Sequence, residues 1–179
     1  MLFQVSLGMS AALSGALVAA SSLGALAMKT AGPRLIRRFG FRRLLLSNGL
    51  ICAALGAMPA LFTRELAVGV IAGVLLARGF FRSLQLTALN ALTYADPPPD
   101  RVSAASSLAA TVQQLAQALS IGAAAALIGM AAAIVPDAPS RDAVAAAFLV
   151  LSAVSLLSLP IVARLPSNAG AAISGARPE

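Results

Sequence analysis

Residues 66–95 read LAVGVIAGVLLARGFFRSLQLTALNALTYA, and the only charges in this 30-residue stretch are Arg78 and Arg82. As a helix the stretch is about 45 Å long at 1.5 Å per residue, more than the roughly 30 Å hydrocarbon core of a bilayer. It lacks the alternation of polar and apolar positions that a barrel strand needs, so a membrane-crossing helix is the element that fits. Working outward, residues 1–28, 44–63, 102–136 and 143–163 contain no Asp, Glu, Lys or Arg. Each window is long enough for one crossing of about 20 apolar residues.

Composition points the same way. The 179 residues are 59% hydrophobic and 11% charged, with a mean hydropathy of +0.90, whereas soluble domains are about 25% charged. The expectation is an all-α membrane protein of about five transmembrane helices, with spans near 5–28, 44–63, 66–95, 103–135 and 143–163. Residues 1–165 form one membrane bundle, and 166–179, PSNAGAAISGARPE, read as a disordered tail. Ala25-Leu26-Ala27 imitates a signal cleavage site, but no basic residue precedes the apolar run, which is longer than a signal peptide uses.

Several function classes drop out. Histidine is absent, Cys52 is the single cysteine, and six acidic residues serve the whole length. No His or Cys metal site, catalytic triad or disulfide framework can be assembled from these, so no enzyme, metal or cofactor is expected. The net charge of +7 is concentrated in 29–43, KTAGPRLIRRFGFRR. Pinned between two spans, this segment reads as a cytoplasmic loop against anionic headgroups, with the lipid bilayer and not nucleic acid as its partner. Nine Lys and Arg fall on the side of 29–43, 96–102 and 164–179, against two, Arg64 and Arg141, on the other. The excess places those segments and the C-terminus in the cytoplasm of a multi-pass inner-membrane protein.

Arg78 and Arg82 are the sharpest feature. A central arginine costs about 2.5–3.5 kcal/mol on insertion scales, so it should face a wet cavity or a partner. At 100° per residue Arg78, Arg82 and Gln85 fall within a roughly 60° arc, with Asn90 and Thr93 further round. Arg82, Gln85 and Asn90 are therefore candidates for a substrate cavity, and Arg78 is equally readable as a packing residue held by a carboxylate. Gln113 and Gln117 share a face of the fourth span and either line the same cavity or hold helices together. Gly69 and Gly73 form a weak GxxxG match. No Asp or Glu lies inside a span, so any proton-carrying group of a coupled transporter would sit elsewhere.

The stretch 79–101, GFFRSLQLTALNALTYADPPPDR, followed by SAASSLAATVQQLAQALSIGAA, resembles the C-terminal half of major facilitator superfamily transporters. The likeness is strongest to the fourteen-helix drug:proton antiporter branch (EmrB/QacA type). PRLIRRFGFRR (33–43) is similar to the family's cytoplasmic loop motif, Gly-x-x-x-Asp-Arg/Lys-x-Gly-x-Arg/Lys-Arg/Lys. Arg38, Gly40, Arg42 and Arg43 match it, while Arg37 stands in place of the acid and Pro33 in place of the first glycine. The resemblance implies a partial C-terminal bundle of an inner-membrane efflux permease that moves small molecules by alternating access. It also implies a missing N-terminal half, without which the chain is not transport-competent. The alternative is a stand-alone small membrane protein that serves a partner membrane protein as subunit or regulator through helix contacts.

Overall fold

A computed structural model describes residues 9–62, 66–95, 101–134 and 140–166. Its helices are α1 (Ala11–Phe39), α2 (Phe41–Ala57) with a 3-10 turn Met58–Leu61, α3 (Val68–Ala95), α4 (Val102–Ile134), α5 (Ser140–Leu156) and α6 (Leu159–Ala163). The described residues contain no strand. Five helical stretches are long and apolar enough to cross a membrane, with α6 completing the crossing begun by α5. The chain is an all-α membrane protein. Residues 63–65, the Pro97–Pro99 run and residues 167–179 of the expected tail lie outside the described residues.

The basic segment 29–43, expected as a loop, is helix on both sides of one break. α1 continues through Pro33 to Phe39, and α2 begins at Phe41. The reason lies in the buried side of α1, where Gly24, Met28, Gly32 and Ile36 recur every four residues. Apolar contact therefore continues past the first positive charges, while Arg34, Arg37 and Arg38 point outward. Arg37 and Arg38 occupy the last turn of α1, where cations complement the carbonyl end of the helix. At the other end of α1, the Ser10 hydroxyl oxygen accepts the Leu13 N–H at 3.2 Å and caps the helix.

Gly40 makes the break. Its φ of 69° and ψ of 164° lie in a region that is essentially glycine-only. Its N–H still donates to the Ile36 carbonyl at 2.9 Å, and its own carbonyl accepts from Leu44 N–H at 3.2 Å.

α1 lies along α3, α2 packs between α3 and α5, and α4 rests on α5 and touches α3. The α1–α3 crossing is a backbone-to-backbone approach. A Cβ at Gly24 would land on the Leu76 carbonyl, and one at Gly79 on the Ser21 carbonyl. Gly69 and Gly73, the GxxxG match, face open space instead. Two apolar clusters flank this crossing. One joins Met28, Ile36, Phe41, Leu44, Leu45, Leu84 and Ala88; the other joins Leu17, Phe62, Ile71 and Leu75. α4 has no buried residue in its spanning window.

Candidate functional site

Between α2, α3 and α5 lies a cavity of about 340 Å³. Gly56 and Gly49 on α2 make room for α5 and α6: a Cβ at Gly56 would come within 2.9 Å of the Ser152 hydroxyl, and one at Gly49 within 2.9 Å of a Leu159 methyl. α3 supplies Arg78, Arg82, Gln85 and Leu86 to the wall, and α5 supplies Phe148, Leu151, Ser152 and Ser155. A second, smaller cavity of about 240 Å³ lies between α1 and α3, lined by Ser21, Ser22, Gly79 and Ser83. Arg82 lines both.

The two arginines have different surroundings. The Arg78 guanidinium carbon sits 5.8 Å from the centroid of the Phe148 ring, a cation–π contact across α3 and α5. Among the described residues, that ring is the partner Arg78 finds. Arg82 is exposed toward the cavities. Asp142, at the start of α5, is the single carboxylate among the described residues, and no ion pair to Arg78 or Arg82 is formed among them.

Gln85 is positioned by a residue that the sequence reading did not single out. Asn48, 2% exposed, donates from Nδ2 to Gln85 Oε1 at 2.6 Å and to the Phe81 carbonyl at 2.9 Å. Its Oδ1 is buried without a partner among the described residues. The signal was an amide inside the uncharged 44–63 window, where a buried polar group needs a partner on another helix. The serines of α5 carry the same weak signal. The hydroxyls of Ser155, on α5, and Ser158, just after it, are bonded back to the Leu151 and Ser155 carbonyls of α5, at 2.9 Å and 2.7 Å.

The other candidates are placed apart. Asn90 is exposed further along α3, Gln113 is half-buried on α4 and Gln117 is exposed there. None of the three lines either cavity. In the basic motif, Arg38 stacks its guanidinium carbon 5.5 Å from the Phe39 ring, and Arg43 gives its carbonyl to the Ser47 hydroxyl at 2.9 Å. Arg42 reaches across the bundle and donates from Nη2 to the Ala163 carbonyl at 2.8 Å. This contact puts the start of α2 and the end of the last crossing at the same end of the bundle.

The family described as the Major Facilitator Superfamily matches residues 1–121. The MdtD protein of Klebsiella pneumoniae subsp. pneumoniae, whose name assigns it to multidrug resistance, is 30% identical over 174 residues, covering 93% of this chain and 36% of the relative. MdtD of Serratia proteamaculans is 29% identical over 168 residues, covering 92% and 35%. MdtD of Escherichia coli O6:K15:H31 is 28% identical over 172 residues, covering 92% and 36%. The chain therefore spans about a third of the length of these curated relatives. No solved structure matches it. On the family match over more than half its length, the chain belongs to the Major Facilitator Superfamily.

Proposed function

We propose that this bundle is the C-terminal part of an inner-membrane efflux permease that exports small molecules by alternating access, and that it works against a second bundle. The observation that carries the reading is Arg82, which is exposed to two cavities halfway along a membrane-crossing helix without a carboxylate beside it among the described residues. A guanidinium at that depth is sustained by water or by cargo. Transporters of two packed repeats bind their substrates at that level, where one repeat rocks against the other. Arg82 and Gln85 would then line the substrate path. Asn90 and Gln117 are exposed and Gln113 is half-buried, all three outside both cavities, and they would reach the path only where the second bundle covers them.

The positive-charge excess supports a cytoplasmic C-terminus and a cytoplasmic Gly40 break. The MdtD relatives support export of drug-like molecules. The test co-expresses the chain with the N-terminal bundle of an MdtD relative in an efflux-deficient strain and follows loss of preloaded dyes. Export by the pair alone, abolished by Arg82→Ala at unchanged abundance, is the expected result. Export by this chain without a second bundle, or an Arg82→Ala variant that loses only abundance, would overturn it.

A further inference from the structure

We infer that the α2–α3–α5 cavity selects a small amphipathic organic anion, a carboxylate or sulfonate on an apolar body, held by Arg82 and Gln85. The inference deepens the reading of this cavity as part of the substrate path and rests on it.

Three observations fix the sign of the charge. Arg78 and Arg82, one helical turn apart, both face the cavity, and none of its lining residues among those described is acidic. A cationic ligand would enter against two like charges, whereas an anion gains from both. Next, the aromatic face on which an organic cation would stack is already taken, because Arg78 lies 5.8 Å above the Phe148 ring. Finally, Gln85 turns its carbonyl oxygen toward Asn48. Its Oε1 takes the Asn48 Nδ2 at 2.6 Å, which leaves Nε2, a donor, beside Gly49 at the cavity wall.

The hydroxyls of Ser155 and Ser158 are turned back on α5 and that of Ser152 lies against Gly56, so the charged donors come from α3. A planar guanidinium suits a carboxylate in two-point contact. Leu86 and Leu151 offer an apolar wall for the rest of the ligand. The cavity, about 340 Å³, is at the small end of ligand pockets, which run from about 300 Å³ upward. A body of one or two rings fits it.

The experiment uses the purified chain in phosphatidylcholine nanodiscs. Equilibrium binding is measured for three radiolabelled probes of one shape: 2-naphthoate, 2-naphthamide and 2-naphthylmethylammonium, each corrected with empty nanodiscs. Naphthoate is expected to bind at least tenfold more tightly than the other two, and Arg82→Gln is expected to remove that preference. Equal binding of the three probes, or tighter binding of the ammonium, would overturn the inference. The comparison on the unmodified chain stands even where Arg82→Gln fails to fold.

A separate arm isolates the underlying reading. The Arg82→Cys variant in a Cys52→Ala background is treated with a membrane-impermeant maleimide. Labelling together with a naphthoate preference supports both claims. Labelling without the preference keeps a wet cavity and rejects the anion, and absence of labelling rejects both.

Discussion

Asn48 Nδ2 stands 2.6 Å from Gln85 Oε1 and ties α2 to α3 at the edge of the cavity. The same amide reaches the Phe81 carbonyl at 2.9 Å, so one side chain holds two points of α3. Interhelical polar contacts in membranes average about 0.6 kcal/mol and reach about 1.7 kcal/mol. Asn48→Ala is expected to lower stability by about 1 kcal/mol in a detergent unfolding titration. It should also weaken naphthoate binding, because Gln85 loses the bond that orients it. Unchanged stability together with unchanged binding would remove Asn48 from the site.

Glycine matters at the α1–α3 crossing and not at the GxxxG match. Gly79→Ala drives a methyl into the Ser21 carbonyl, with backbone on both sides and nowhere to relax. Overpacking of this kind costs about 1–3 kcal/mol. Gly73→Ala enters open space and should stay within about 0.5 kcal/mol of the parent. Thermal melts of the two variants in one detergent compare them directly, and an equal loss in both would contradict the crossing described.

The Gly40 break is a matter of backbone alone. Nothing lies within 4 Å of a Cβ at this position, but its φ is 69°. Gly40→Ala is expected to cost about 1–3 kcal/mol through strain without any clash. The loss should appear in the same thermal melts, and an unshifted midpoint would show that α1 and α2 run on without this turn.

Arg42 fastens the end of the last crossing. Its guanidinium supplies a donor to the Ala163 carbonyl, at the carbonyl end of α6, where cations are favoured. Arg42→Ala should speed amide hydrogen exchange over 157–166, and Arg42→Lys should restore part of the protection. Identical exchange in all three proteins would rule the contact out as a fastening.

The mutual arrangement of the two arginines shows where sequence reading reaches its limit. That Arg78 and Arg82 sit in mid-span was legible from 66–95 alone, since position along a helix follows from counting residues. That one rests over Phe148 while the other stands between two cavities was not, because it depends on α5, more than 60 residues later. The basic segment gives the opposite lesson. Charge suggested a loop, but the four-residue recurrence ending at Ile36 was already in the sequence and carried the helix to Phe39.

The sequence by itself determined five apolar crossings and the gathering of most basic residues at one end. Hydrocarbon admits only segments that satisfy their own backbone, and it penalises charge wherever charge is placed. Tertiary structure alone decided which glycines meet, that Asn48 finds Gln85, and that α3 presents its donors to α5. In a bilayer the lipid-facing and bundle-facing sides of a helix are both apolar, so no hydrophobic stripe marks the inward face. The shapes of the packed helices choose it instead.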